Sequence, residues 1–584
     1  MSRTLAALAA LTLIAGAARA ADDVDPKTQA AIQAAVEKAV GDAEERLRAD
    51  VQTSQASKEI DAAVAPGPKL QFLELDGYFR LRGYMFDDLD LHAGPDAAGR
   101  YLYPVPLRSN GDRHTFAGAN MRLRVEPTLN VSEQVRVRAQ VDVLDDYAFG
   151  SSNSALFDAS GSTYPVPLYG SSRSALSDPA RTDRAAVVVK RVWSEVQTPV
   201  GLLSFGRMPA GWGLGILQNP GRGLDDDLGD TVDRIQFALP PVSTPIGQLT
   251  VVPSLDFDSE GVQRFNPMGG PPLDADNGDD ARSWGLKLAR IDTDEELRRK
   301  LEKGEASLNY GAFYEYKAQV WTLPDWTTAS VDPAPLSNSW VKRNAYAHVI
   351  DLWTRWQKGK ATAEVEAVGI YGHVGNAGDN TTPTGEILIR QLGLAAKADY
   401  ALMPHKLRLG GEAGFASGDD APGFGNQPGL VAPAPTPGAP YPYGVLDGPQ
   451  YGGVNGDHSI RNFRFNPAYR IDVVLFRQIL GGVTDAWYLK PKIHWDVMPS
   501  IAVDGALVYS SALSAESTPS STGPGSGKKA LGIEGDAKVT YTSGDGFEAW
   551  VEYGILQPFD ALKTVSGGTL TRGHVLNVGL AAKF

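Results

Sequence analysis

The sequence predicts an all-β protein, a transmembrane antiparallel up-and-down β-barrel of about 18 strands preceded by a short periplasmic amphipathic helix. Three observations predict it. Long segments alternate apolar and polar residues with a period of two, as extended chain with one face in oil and one in water must. The connections between them are alternately very short and long. The last stretch, Gly573 to Phe584, keeps the alternation to its end: Leu576, Val578, Leu580, Ala582 and Phe584 share one face, and Val575, Asn577, Gly579, Ala581 and Lys583 the other. A free apolar strand at the edge of a soluble sheet invites aggregation, whereas in a barrel it closes onto the first strand.

Composition narrows the alternatives. The 584 residues carry a net charge of −14, no cysteine, 63 Gly, 39 Pro, 21 Tyr and 11 Trp. The lack of cysteine excludes a disulfide scaffold, a thiolate zinc site and a lipid-anchored mature amino terminus. The acidic balance argues against a nucleic-acid partner. Mean hydropathy is −0.21, and no long apolar run follows the amino terminus, so helices do not do the spanning.

Residues 1–20 read as a cleaved signal peptide: Arg3, an apolar run from Leu5 to Ala18, then Ala18-Arg19-Ala20. Residues 21–66 read as a periplasmic helical segment. Asp25-Pro26 supplies a cap and first helical residue, and Ile32, Val36, Val40, Ala43, Leu47 and Val51 fall on one stripe. That stripe fits a helix lying near the barrel or a coiled coil that pairs copies of the chain. Ala65-Pro66-Gly67-Pro68 marks the boundary, and 67–584 is the barrel.

From there Leu73, Leu75, Phe79 and Leu81 alternate with Glu74, Asp76, Tyr78, Arg80 and Arg82. Met121, Leu123 and Val125 alternate with Arg122, Arg124 and Glu126; Val135, Val137, Val141 and Val143 alternate with Arg136, Arg138, Gln140 and Asp142. The pattern returns in Leu392–Tyr400, Trp487–Val497, Leu531–Tyr541 and Phe547–Tyr553. Strands of roughly 10 to 14 residues exceed soluble lengths and match a tilted span of the hydrocarbon layer. Short turns are expected near 128–133, 198–201, 242–247, 357–360, 402–405, 498–500 and 542–546, with a charged connection from Asp292 to Glu305 holding a helical turn. Long loops are expected near 87–116, 146–183, 209–230, 258–280, 322–342, 418–484, 512–527 and 557–570. Faces separate poorly over 184–208 and 231–257, and Arg461 to Ile479 is a further strand candidate, which leaves 16 or 20 strands open. A signal peptide followed by such a barrel predicts the bacterial cell outer membrane, with its lipid as the first partner.

The polar face lines a wet interior. Its candidate solute contacts are Arg80, Arg82, Arg122, Arg124, Arg136, Arg138, Arg408, Lys490 and Lys492, with Glu534 and Asp536 opposite. Two readings stand side by side: a ladder of salt bridges stiffening the wall, or a charged constriction sorting solutes by sign. Arginine grips carboxylate and phosphate bidentately, which points the first three strands at anions. Loop 418–484 either folds into the mouth or stays outside.

Resemblance to known families enters with particular residues. The terminal strand with Leu580, Ala582 and Phe584 resembles the assembly signal of outer-membrane barrels, implying the barrel-assembly machinery as a partner. Trp193-Ser194-Glu195, Gly206-Arg207-Met208 and Gly414-Phe415-Ala416-Ser417-Gly418-Asp419 resemble bacterial porins of about 18 strands. Phe463-x-Phe465-Asn466-x-x-Tyr469 through Leu475-Phe476 is similar to the alginate-export group. The resemblance implies passage of a small or anionic solute, or an anionic polymer. Rival readings are a surface binding or adhesion barrel acting through its loops, and, behind it, an outer-membrane enzyme. The eight histidines form no familiar nucleophile or metal motif, so no catalytic residue is assigned. No cofactor is expected beyond calcium on the acidic loops Asp225-Asp226-Asp227 and Asp274-x-Asp276, whose oxygens suit that ion.

Overall fold

The computed structural model describes residues 71–94, 102–106, 114–149, 187–245, 247–274, 276–322, 340–376, 385–419, 458–515, 526–563 and 568–584. The signal peptide, the 21–66 segment and the Gly/Pro-rich centre of loop 418–484 lie outside them. One sheet of 20 strands dominates, of which Val242–Thr244 and Ser459–Ile460 are short additions, leaving a closed antiparallel wall of 18 strands. In chain order these are β1 (Leu73–Asp87), β2 (Thr115–Asn130), β3 (Val135–Ala148), β4 (Val187–Thr198), β5 (Gly201–Pro209) and β6 (Thr231–Ala238). Next come β7 (Gly247–Ser259), β8 (Ala281–Arg290), β9 (Ser307–Thr322), β10 (Val341–Lys358), β11 (Ala361–Val374) and β12 (Ile387–Met403). The last six are β13 (Leu407–Ala416), β14 (Ala486–Met498), β15 (Ile501–Ala512), β16 (Ala530–Thr542), β17 (Phe547–Pro558) and β18 (Gly573–Lys583).

Period-two patterning decides which way each side chain points. Leu73, Leu75 and Phe79 of β1 face outward and are exposed, while Tyr78, Arg80 and Arg82 point into the lumen and are buried. The outward belt continues through Ile350, Leu352, Leu392, Leu489, Leu507, Val551 and Leu580, all exposed. Large apolar side chains in a continuous exposed band are stable against lipid tails, and a closed barrel satisfies every ladder hydrogen bond there. The chain is therefore a transmembrane β-barrel of the outer-membrane kind.

Closure is made by β18 on β1, from Tyr78 opposite Lys583 to Asp87 opposite His574. Gly77 and Phe584 exchange backbone hydrogen bonds of 3.0 Å in both directions. A Cβ on Gly77 would stand 2.3 Å from the Arg124 carbonyl oxygen and 2.8 Å from the Phe584 ring, so only glycine lets the seam close.

The expected turns are found, and Asp292–Glu305 contains α1 (Asp294–Glu302), started by a Thr293/Glu296 capping box. A ninth long connection, 375–386 between β11 and β12, is not among those expected from the sequence. Arg461–Ile479 is not a strand: it turns inward and holds one π-helical turn, Leu475–Ile479. The poor face separation near 190 has a cause. Gln140 pairs with Arg191 but Val141 with Val189, so Lys190 is an extra residue that flips the parity of β4. Val187, Val189 and Val192 all face outward as a result.

Candidate functional site

Among the described residues, two connections fold into the lumen and build its apolar core together with Leu89, Leu91, Ala93 and Leu102 after β1 and Ala561 and Leu562 after β17. Residues 210–230 follow β5, and Ala210, Trp212 and Ile216 are fully buried. Trp212 wedges between Phe313 of β9 and Trp353 of β10, with ring centroids 6.1 and 6.5 Å away. The Lys287 ammonium donates to the Gly211 carbonyl at 3.1 Å, and Glu366 of β11 accepts the Gly215 amide at 2.8 Å. Residues 461–485 form the second inward segment. Phe463 lies over Gly393 of β12, where a Cβ would come within 2.2 Å of its ring.

Wall carboxylates hold this second segment by its backbone. Glu534 of β16 accepts the amides of Val473, Val474 and Leu475 at 2.9, 2.6 and 2.9 Å. Three consecutive N–H groups aimed at one carboxylate make an anion nest supplied by the loop and filled by the wall. Glu412 accepts the Tyr469 and Tyr488 hydroxyls at 2.8 and 2.6 Å. Asn466 links the two segments, donating its amide to the Ile216 carbonyl at 2.8 Å and its side chain to Asp230 at 2.5 Å.

The arginines of β1 and β2 meet the first segment. Arg80 donates to the Leu224 carbonyl at 3.0 Å and pairs with Asp227 at 3.2 Å and with Asp146. Arg82 pairs with Asp225 at 2.9 Å and Asp227 at 2.8 Å. Arg122 pairs with Asp145 and Asp146, each at 2.7 Å, and Arg124 holds Asp142 bidentately at 2.7 and 2.8 Å. Arg136 and Arg138 share Glu195 of β4, at 3.0 and 3.3 Å. From the second segment, Arg470 pairs with Asp225 at 3.0 Å, and Arg477 pairs with Asp225 and, at 2.8 Å, with Glu552. Asp225 thus carries three guanidinium groups.

Burial alone would raise the Asp225 carboxyl, but Arg477, Arg470 and Arg82 outweigh it and hold the group well below the usual range. Asp472, which accepts the Phe476 and Arg477 amides, goes the other way: burial and the nearby Glu534 push it well up. Burial also raises Asp230 despite hydrogen bonds from Asn219 and Asn466.

On the side of β1's first residues and α1, where the chain enters the barrel, the lumen opens into a cavity of about 1760 Å³. Arg138, Arg408, Lys490, Lys492 and Asp536 line it, together with Arg191, Arg222, Arg470 and Arg477, with Glu126, Glu548 and Glu552 among its acids. Lys492 is held by Asp399 at 3.1 Å. Arg222 and Arg408 contact no carboxylate among the described residues. The predicted lumen residues therefore divide. Arg80 and Arg122 are buried in salt bridges and Glu534 is spent on backbone amides; Arg138, Arg408, Lys490, Lys492 and Asp536 remain on the cavity wall.

The acidic loop expected to bind calcium is placed differently. Asp225 and Asp227 point into the arginine network, where guanidinium groups occupy the positions a cation would take, and Asp226 accepts the Gly223 amide. Asp274 stands near Glu260 and Asp280, while Asp276 caps the Gly278 amide at 2.7 Å. The sequence alone points to no site at Asp145 or Asp146. Met121 pairs with Tyr147 but Leu123 with Val143, so β3 holds two extra residues with Leu144 and Asp146 in left-handed backbone. That bulge aims three acids, Asp142, Asp145 and Asp146, at the arginines of β1 and β2. Arg470 and Arg477 carry no strand period and gave no signal.

No family model and no curated protein matches the chain. Among solved structures it is similar to a BenF-like porin from Pseudomonas fluorescens Pf-5 at 10% identity, covering 88% of this chain and 100% of that one, TM-score 0.42. It is similar to OccK11 (OpdR) of Pseudomonas aeruginosa at 10% identity, covering 87% and 96%, TM-score 0.40. The outer membrane channel DcaP of Acinetobacter baumannii matches at 10% identity over 88% and 97%, TM-score 0.34. With TM-scores below 0.5, these likenesses carry no functional argument.

Proposed function

We propose that the protein is a porin-like channel that passes small or anionic solutes, or an anionic polymer, through a charged lumen narrowed by its two inward segments. The observation that supports this most is a cavity of about 1760 Å³ inside a closed 18-strand wall, lined by basic and acidic side chains alike. Buried salt bridges hold the narrow zone in place, because a carboxylate or guanidinium stripped of its partner inside the barrel is costly. Arg138, Arg408, Lys490 and Lys492 act on the solute, with Asp536 as the opposing acid. The outer-membrane lipid, the barrel-assembly machinery acting on Leu580, Ala582 and Phe584, and a second copy paired through segment 21–66, whose sequence predicts a helix, complete the partners.

The test is conductance of the purified protein in a planar bilayer under a salt gradient. The expected result is a unit conductance whose reversal potential moves toward cation preference when Arg408, Lys490 and Lys492 are changed to Glu. Silence under voltage, or a reversal potential indifferent to those three charges, defeats the proposal.

A further inference from the structure

We propose that the outer end of β1 carries a divalent transition-metal site, formed by Asp88, Asp90, His92 and His114 and suited to Zn2+. The sequence Asp88-Leu89-Asp90-Leu91-His92 alternates ligand-type residues with apolar ones. Leu89, Leu91 and Ala93 are buried in the lumen's apolar core, and the Leu91 carbonyl accepts the Thr571 amide at 3.0 Å. With these three anchored inward, the donor atoms of Asp88, Asp90 and His92 gather beside His114. Backbone bonds fix the hook: the Asp88 amide donates to His114 at 3.2 Å, Leu91 to Asp88 at 2.9 Å and Ala93 to Asp90 at 3.0 Å. Asp88, Leu91 and His92 all adopt left-handed backbone, at φ of 53°, 56° and 50°, a costly conformation for side-chain-bearing residues that turns the chain back on itself.

His114, 22 residues past His92 and immediately before β2, completes the set. His92 Nε2 lies 3.2 Å from Asp88 Oδ1, and His114 Nδ1 lies 3.2 Å from Asp90 Oδ1. The two imidazoles sit side by side with centroids 4.2 Å apart, and one donor atom from each of the four residues lies within 4.8 Å of the others. Tetrahedral zinc with bonds of about 2.0–2.2 Å has ligand–ligand edges of roughly 3.3–3.6 Å, so small side-chain adjustments admit the ion. Two imidazoles with two carboxylates suit Zn2+ rather than Ca2+ or Mg2+, which take oxygen. Asp90 is 3% exposed, and among the described residues the polar side chain facing it is His114. A buried carboxylate facing one imidazole is a poor arrangement without a second positive partner, and a metal supplies it. The all-acidic groups at Asp256/Asp258/Glu315 and Glu260/Asp274/Asp280 have no such donor mix.

The test is calorimetric titration of Zn2+ into chelator-washed, full-length protein in detergent, with Ca2+ titrated in parallel. The expected result is one saturable Zn2+ site that Ca2+ does not fill. His92→Ala and His114→Ala each weaken it by at least about 100-fold, the upper end of what losing even an outer-shell partner costs. Heat-modifiable migration on a gel verifies that each variant is a folded barrel, and Asp90→Asn provides a change of charge with little change of shape. Zinc absorption spectroscopy then shows imidazole nitrogen in the first coordination shell. Absence of saturable Zn2+ binding to the folded wild type, or binding that survives the double histidine variant, overturns the proposal.

Discussion

Removing the Glu534 side chain should release the second inward segment and enlarge the passage. Glu534 is 2% exposed and accepts three successive amides at 2.6–2.9 Å. In Glu534→Ala those amides lose their acceptor in a buried place. Each stranded donor costs about 1–3 kcal/mol, so the inward pose loses roughly 3–9 kcal/mol, less whatever water recovers. Every 1.4 kcal/mol or so is tenfold in an equilibrium constant, so even the low end shifts the segment's balance about a hundredfold. Asp472 sits beside Glu534 and gains from losing that charge, which offsets part of the loss. Glu534→Gln separates the two effects: it keeps an acceptor oxygen and the side chain's shape, and should lie much nearer wild type. The assay is single-channel recording in a planar bilayer, with liposome swelling as a measure of solute size limit. The variant with Ala should show larger or more frequent full openings and admit larger sugars. Wild-type conductance, flicker and size limit in a folded Glu534→Ala barrel would refute the nest as the segment's tether.

The pH response should be biphasic. Asp472 is raised above its ordinary 3.8, so its contribution is favourable at acid pH and is lost as pH rises through the folded value. Asp225 is depressed, so its contribution is complete above 3.8 and disappears as pH falls toward the folded value. Acidification from about pH 7 toward 4 should therefore steady the narrow state, and further acidification should loosen it, read as conductance noise against pH. Gly77→Leu should block closure, because its side chain would enter the space of the Arg124 carbonyl and the Phe584 ring. The heat-modifiable folded fraction should fall sharply, whereas Gly83→Leu, whose Cβ would meet only one atom at 3.9 Å, should fold far better.

What the sequence determined by itself is the wall. Outward Leu73, Leu75 and Phe79 against inward Arg80 and Arg82, the short turns, the helical turn within Asp292–Glu305 and the terminal strand are all local. Period two and turn chemistry act between residues a few positions apart, so one strand's text is enough to read them. It fails where extra residues enter a strand without changing its composition: one at Lys190, which flips parity, and two in the bulge of β3, which re-aim its acids. What only the tertiary structure decided is what fills the lumen and which charges remain for a solute. Arg82 finds Asp225 across 143 positions, Arg477 finds the same carboxylate across 252, and the ligand-type side chains of Asp90 and His114 converge across 24. Closure of the barrel creates those encounters, and buried charges select among them by how completely each is compensated. Local pattern has no access to that choice, because each arginine reads the same in sequence whether it ends against a carboxylate or in open water.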